Sequence, residues 1–505
     1  MNSGRGAGTV YLVGGGPGDP GLLTLRGREL LARADVVVYD SLIDPGLLSF
    51  AARAEHSYVG DAHDRHRVRQ DEINTRLIDH ARAGKVVVRL KGGDPFLFGR
   101  GGEEAQALRA AGIPFEVVPG VSSALAVPAY AGIPVTHRDL ASSVSIITGV
   151  QAAGSDATDW ADQAAKPGTL VFLMGMSRLN AIVSELLAHG RAGDTPAAAI
   201  RWGTRPDQQT VTGPLRDLPR LTEEAGLRAP AVVVVGEVVR LRDELRWFET
   251  RPLFGVGVLV TRAAEQAGSL AVDLRQLGAA VYEQPVIAVE QVDGPDPAEA
   301  LARLPEYDWV IFTSANAVRA VWARLRASGR DARAFASARL CAIGPATAVA
   351  LEALGLAPDV VPEEHVAEGV LAALRELPMR KVLLPRAAGA REVLPRGLRE
   401  RGVEVDAVTF YRTVPAAASA APLRLLLANG QVQLVTFTSA STVEHFIDLA
   451  GTPPSHVAVA CIGPETRRAA EARGLRVSVT AETYTAAGLV SAIAAHAPVL
   501  QARRS

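Results

Sequence analysis

The chain has 505 residues, 48% of them hydrophobic and 21% charged, with a formal net charge of -1 at pH 7. This length exceeds one ordinary hydrophobic core and points to about three or four domains, and the composition is that of a globular chain, which excludes a disordered one. Arginines interspersed with acids leave no footprint for nucleic acid, and no apolar run reaches membrane-spanning length. The start, Met1 to Gly8, is small and polar without the apolar core of a targeting peptide, so a cytoplasmic protein is expected. Cys341 and Cys461 each lie in an apolar run ahead of a Gly-Pro pair. They read as buried thiols, with no disulfide framework and no metal site.

Val10 to Val13 reads as a buried strand, and Gly14 to Gly18 open the backbone to a small ligand. Gly16, Gly18 and Gly21, with Asp40 further on, formally meet a dinucleotide fingerprint. Against it, Asp19 before Pro20 has the form of an N-cap with proline in the first helical position. A carboxylate then sits where a pyrophosphate is needed, so a ligand without phosphates is preferred over a nicotinamide cofactor. A helical pattern to Ala34 and a strand Asp35 to Asp40 follow, the order of a parallel α/β sheet. Asp40, just past a strand's carboxyl end, is a candidate general base or polar anchor, with a turn residue as the plain alternative.

Residues 59 to 70 are polar and basic. His63 and His66 lack helical ligand spacing, so a loop that receives an acidic substrate is favoured over a metal site. Lys85 to Leu90 reads as a strand running into Lys91-Gly-Gly-Asp-Pro, and Phe115 to Val118 as another ending in Pro119-Gly-Val-Ser-Ser-Ala124. Small-residue turns at several strand ends of one sheet imply a ligand crevice.

The stretches VYLVGGGPGDPGLLTL, ADVVVYD, RQDEIN, VVRLKGGDPFLFGRGGEE, GIPFEVVPGVSSALAVPAYAGIPVTHRDLASSV and VVRLRDELRWF resemble uroporphyrinogen-III C-methyltransferase over residues 9–248. The resemblance implies two α/β lobes, about 9–138 and 139–248, that bind S-adenosyl-L-methionine between them and methylate uroporphyrinogen III twice to precorrin-2. Carried over by position, it assigns the cofactor to Pro17, Gly92, Gly93, Asp94, Leu97, Ser122, Ser123, Met174 and Gly203, and proton acceptance to Asp40. It also implies a homodimer. One position departs from the family: Asp61 stands where a lysine is usual, and Arg65, His66 or Arg67 is a candidate to supply the missing positive charge.

The second half repeats itself. Val258-Leu-Val-Thr-Arg262 matches Val382-Leu-Leu-Pro-Arg386, Phe312-Thr-Ser matches Phe437-Thr-Ser, and Gly344-Pro-Ala-Thr347 matches Gly463-Pro-Glu-Thr466. A period of about 120 residues is too long for a solenoid and suits a duplicated α/β lobe. Hydroxyls and free N–H groups at such strand-to-helix turns suit a ligand with many carboxylates, although any one of them alone reads better as a helix cap.

These stations, with Pro-Arg-Ala and Phe-Tyr-Arg-Thr, resemble uroporphyrinogen-III synthase over residues 255–498, with one lobe at about 255–286 plus 412–498 and the other at 287–411. The connectors fall near Pro285 to Glu290 and Val408 to Thr413. The resemblance implies cofactor-free closure of hydroxymethylbilane with inversion of its last ring. Tyr411 would assist departure of hydroxide, Thr313, Ser314, Thr347, Thr438, Ser439 and Thr466 would line the cleft, and Arg262 and Arg386 would meet substrate carboxylates. Together the halves imply a bifunctional enzyme, since the product of the second is the substrate of the first. The alternative is an active methyltransferase fused to a non-catalytic tetrapyrrole-binding module.

Overall fold

Short β-branched runs closed by glycine turns become the strands of one parallel sheet in the computed structural model, which describes residues 8–60, 68–150, 158–262 and 264–502. The chain divides into two units, Met1–Gly257 with Asp273–Ala280 and His496–Ser505, and Val258–Val272 with Val281–Ala495. The first sheet holds β1 (Val10–Gly14), β2 (Val36–Tyr39), β3 (Glu55–Tyr58), β4 (Val87–Lys91) and β5 (Phe115–Val118) in the order β3-β2-β4-β1-β5. All its neighbours are parallel.

Alternation along the strands fills both faces of this sheet. Val10, Leu12, Val36, Val38 and Val87 pack with Ile73 and Leu77 of helix α2 (Gln70–Arg82) and Leu108 of α3 (Gly101–Ala110). Val13, Val37, Val88 and Leu90 pack with Leu30 and Leu31 of α1 (Leu25–Arg33). The helix expected to start at Asp19-Pro20 is only one turn of 3₁₀ helix, Pro20–Leu22. Thr24 is the cap of α1, its Oγ1 accepting from Gly27 N at 3.1 Å, so the longer helix begins after the turn has ended.

A second sheet in the same unit holds β6 (Val144–Thr148), β7 (Thr169–Leu173), β8 (Pro196–Arg201), β9 (Gln209–Pro214) and β10 (Ala231–Val235), in the order β6-β7-β10-β8-β9. Here only β6 and β7 are parallel; β10 runs antiparallel to β7 and β8, and β8 to β9. The wholly parallel sheet expected from the strand-helix-strand order near residues 10–40 is the first sheet, and the second is mixed. The connection from β8 to β9 is too short for a crossover and permits only a hairpin.

The second unit contains β11 (Gly257–Val260), β12 (Ala280–Glu283), β13 (Ile287–Gln291), β14 (Trp309–Phe312), β15 (Arg339–Ala342), β16 (Lys381–Ala387), β17 (Glu404–Pro415), β18 (Leu434–Phe437), β19 (Ala458–Cys461) and β20 (Val479–Thr480). One sheet has the order β12-β11-β18-β19-β20 and the other β13-β17-β16-β14-β15, with a further parallel bridge from Cys341 to Val360 beyond β15. Aligning β17, β16, β14, β15 and Val360 with β12, β11, β18, β19 and β20 gives the same order twice, so the repeat in the sequence is a repeated lobe. The two connecting segments pair with each other as antiparallel strands, from Ile287 opposite Pro415 to Gln291 opposite Tyr411. Cys341 and Cys461 are buried, free and at equivalent places in β15 and β19; burial pushes each thiol up to about 12, which keeps both protonated and inert. Among the described residues no helix is long and apolar enough to cross a membrane.

Candidate functional site

In the first sheet β1 and β4 lie side by side, but the chain leaves β1 toward the α1 face and β4 toward the α3 face. This is the topological switch point at which open α/β sheets bind ligands. The glycine turns meet there at backbone distance. Gly93 N donates to Gly16 O at 2.7 Å and Gly16 N to Gly93 O at 3.3 Å. A Cβ on Gly14 would lie 2.5 Å from Gly120 Cα, and one on Gly120 would lie 2.3 Å from Gly93 O. Only glycine permits that approach.

Asp94 ties these turns together: its Oδ2 accepts from Gly120 N at 3.0 Å, and its Oδ1 from Phe96 N at 2.8 Å and Leu97 N at 3.1 Å. Ser122 caps helix α4 (Ser123–Tyr130), its Oγ accepting from Ala124 N at 3.2 Å. Pro17 lies partly exposed on the rim between Gly16 and Gly18. From the second sheet come Met174, 48% exposed after β7, and Gly203 after β8, where a Cβ would meet Val127 Cγ1 of α4 at 2.3 Å. A polar contact also joins the lobes, Asp19 N donating to Thr204 Oγ1 at 3.0 Å, and within the first lobe Tyr130 Oη donates to Asp19 Oδ2 at 2.8 Å. Burial and the Asp19 carboxylate push the Tyr130 phenol up, which keeps it a donor.

Backbone strain is concentrated around the same turns. The non-glycine residues with positive φ among those described are Phe98, Arg100, Met174, Trp202 and Thr204, all in turns that follow β4, β7 and β8. Such outliers persist where the surroundings over-determine them, and they gather at ligand sites.

Asp40 lies beside this crevice, since a Cβ on Gly92 would come within 2.9 Å of Leu42 Cβ in the Asp40 turn. Its Oδ1 accepts from Leu42 N at 3.1 Å, the turn role that sequence left open, and its Oδ2 accepts from Arg89 Nη2 at 3.0 Å. Arg89 is buried in β4, and on its other side Nε donates to Glu104 Oε1 at 3.2 Å, which also accepts from Lys91 Nζ at 3.1 Å. Burial pushes the Lys91 ammonium down and Arg89 adds to this, while Glu104 opposes both. Sequence reading missed Arg89, Lys91 and Glu104. The available signal was the run Val87-Val-Arg-Leu-Lys91: cations at alternate positions of a strand otherwise fully apolar require buried acids on the same face.

In the second unit the repeated stations sit at equivalent strand ends. Thr313 and Ser314 follow β14, and Thr438 and Ser439 follow β18. Ser314 Oγ accepts from Ala317 N at 3.0 Å and Ser439 Oγ from Thr442 N at 3.3 Å, so both hydroxyls cap helices. Thr347 and Thr466 are buried in the first turns of the helices Pro345–Glu352 and Pro464–Ala472. Arg262 follows β11; burial pushes its guanidinium pKa down and the like charge of Arg319 adds to this. Arg386 donates from Nη2 to Glu392 Oε1 at 2.6 Å and to Ala390 O at 3.1 Å, so its expected substrate role meets competition from its own lobe.

Tyr411 is the most specific of these groups. It is buried in β17, and its hydroxyl lies 2.8 Å from Ser314 Oγ. Burial raises the phenol, and the Ser314 hydrogen bond opposes this only in part. A raised value preserves the neutral, proton-donating form into alkali. Were Tyr411 the proton donor that the resemblance implies, ring closure would persist as pH rises past about 10, the ordinary tyrosine value; an alkaline loss at or below that pH, absent from Tyr411→Phe, would contradict that role. Asp61, Arg65, His66 and Arg67, with the departure noted above, lie outside the described residues.

Two family descriptions match the chain: Tetrapyrrole (Corrin/Porphyrin) Methylases over residues 9–219 and Uroporphyrinogen-III synthase HemD over residues 268–491. The porphyrin biosynthesis protein HemD of Ruminiclostridium josui is 40% identical over 486 residues, covering 95% of this chain and 96% of that protein. The siroheme synthase of Pseudomonas fluorescens (strain Pf0-1) is 56% identical over 243 residues, 48% of this chain and 52% of that one, so this chain spans about half the length of that relative. A crystal structure of uroporphyrin-III C-methyl transferase from Thermus thermophilus with S-adenyl homocysteine aligns with TM-score 0.41 and 44% identity, over 46% of this chain and 94% of that one. With both family matches in chain order and a relative matched along nearly its whole length, the chain belongs to the family of porphyrin biosynthesis proteins that join a tetrapyrrole methylase to a uroporphyrinogen-III synthase HemD domain.

Proposed function

We propose that the second unit closes hydroxymethylbilane to uroporphyrinogen III with inversion of the last ring, and that the first unit methylates this product twice to precorrin-2. The observation that carries the methylase reading is the meeting of Gly14, Gly16, Gly93 and Gly120 at the switch point, with Asp40 held beside it by Arg89. S-adenosyl-L-methionine would supply an electrophilic methyl group there. The site fits that donor: glycine turns whose backbones meet too closely for any Cβ, apolar Leu97 and Met174, and the Asp19 carboxylate at the end where a pyrophosphate would otherwise seek donors. Attaching a methyl group to a pyrrolic carbon that already bears a side chain makes that carbon quaternary and leaves the ring cationic, so a proton must be lost from elsewhere on the macrocycle. Asp40 takes it, and Arg89 keeps the carboxylate turned toward the crevice.

In the second unit the protein holds a flexible, anionic chain in the closing geometry. The helix ends at Ser314, Gly344, Ser439 and Gly463 offer N–H groups to its carboxylates, and Arg262 lies after β11 as a candidate cation for one of them. Tyr411 donates a proton to the departing hydroxide, which leaves as water. Incubating the full chain with hydroxymethylbilane is expected to give uroporphyrinogen III alone, and precorrin-2 when S-adenosyl-L-methionine is added. Uroporphyrinogen I as sole product removes the synthase reading and leaves a tetrapyrrole-binding module; uroporphyrinogen III that persists with the methyl donor present removes the methylase reading. The homodimer implied by the resemblance is checked by sedimentation of the same preparation.

A further inference from the structure

Glu104 is wholly buried in α3, yet its carboxylate is bonded on one side only. Oε1 accepts from Arg89 Nε at 3.2 Å, Lys91 Nζ at 3.1 Å and Gln70 Nε2 at 3.2 Å, whereas Oε2 is buried without a hydrogen-bond partner among the described residues. Keeping a half-satisfied carboxylate in a core is costly, and buried ion networks can often be replaced by apolar packing without loss of stability. Stability alone does not account for its presence.

The geometry of Arg89 does. Its Nε meets Glu104, its Nη1 meets the carbonyls of Val38 at 3.3 Å and Leu90 at 3.1 Å, and its Nη2 reaches Asp40 Oδ2 at 3.0 Å. A planar guanidinium gripped at every nitrogen cannot rotate. Asp40, 24% exposed, is the member of this network that reaches the crevice, while the side chains of Arg89, Lys91 and Glu104 are all at or below 5%. We propose that Glu104 is a positioning residue for Asp40: it anchors the inner end of the Arg89 guanidinium so that the outer end presents the Asp40 carboxylate to the crevice in one orientation. The proposal rests on the reading of Asp40 as proton acceptor.

The test compares the full natural chain with Glu104→Gln and with the double variant Glu104→Gln/Lys91→Met. The double variant removes one buried cation together with the buried anion, so it restores charge balance if the single change harms folding. Methyl transfer is measured with S-adenosyl-L-methionine varied. In parallel, the Arg89 Nε–H signal is followed in ¹⁵N-arginine-labelled protein, assigned by its disappearance in Arg89→Lys. In both variants kcat is expected to fall roughly 10- to 100-fold, the scale of a misplaced reacting group, with KM for the methyl donor little changed. The Arg89 Nε–H, slow to exchange in the natural chain, becomes fast. A double variant with natural kcat overturns the proposal, as does a rise in KM alone with the Arg89 signal still protected. Natural kcat in Asp40→Asn removes the Asp40 reading itself; an inactive Asp40→Asn beside fully active Glu104 variants removes only the role of Glu104.

Discussion

Gly120→Ala is expected to weaken binding of S-adenosyl-L-methionine about tenfold or more and to leave ring closure by the second unit unchanged. The added methyl group would lie 2.3 Å from Gly93 O and 2.7 Å from Gly14 Cα, both backbone atoms that no rotamer change can move aside. Forcing an extra methyl into such a contact costs about 1–3 kcal/mol, here by spreading the turns that form the crevice wall. The first unit should lose roughly 2–4 °C in melting temperature for each kcal/mol. Gly102→Ala is the matched control. It lies in α3 with nothing within 4 Å of the new methyl group, so it should gain about 0.5–1 kcal/mol from the lower entropy of alanine, with binding unaltered. Isothermal titration with the methyl donor separates the two, and undiminished affinity in Gly120→Ala would mean that these turns do not form the cofactor wall.

Features whose signal is local were legible. Glycine turns after apolar runs announced strand ends, and strand-helix-strand order announced a parallel sheet whose carboxyl edge gathers them. The repeat of Phe-Thr-Ser and Gly-Pro-x-Thr announced a duplicated lobe. What stayed hidden depends on partners distant in sequence. Asp19 could be read as a cap from its neighbours, and it does accept from Gly21 N at 2.7 Å, but its second partner, Tyr130, is 111 positions away. Asp40 was visible as a strand-end acid, whereas the pairing of Arg89 with Glu104 behind it was not, because it joins β4 to α3 across 15 positions and the strand's own pattern does not name its partner. The mixed second sheet escaped for a related reason: short strands such as Ala231–Val235 are apolar throughout and carry no information about direction.

Tyr411→Phe tests the second half with equal force. The ring is packed in the lobe core, so phenylalanine keeps the packing and loses only the hydroxyl. Ser314 retains its bond from Ala317 N, and the net stability cost should stay near 1 kcal/mol. Loss of a positioned acid typically slows a step about 10²- to 10⁴-fold. Here the lower end is expected, because hydroxymethylbilane loses water readily and the lobes still hold it. Uroporphyrinogen III should then form about 10²-fold more slowly, while uroporphyrinogen I grows as a share of product as unguided closure in solution overtakes the enzyme. Ser314→Ala separates positioning from proton donation. It removes a helix cap worth about 0.5–2 kcal/mol and frees the Tyr411 hydroxyl without deleting it, so stability should fall more than in Tyr411→Phe and the rate less. If both variants slow closure equally, the hydroxyl matters for its bond to Ser314 and not as the donor to the leaving group; if neither slows it, Tyr411 is a core residue and the departing hydroxide is served from elsewhere in the cleft.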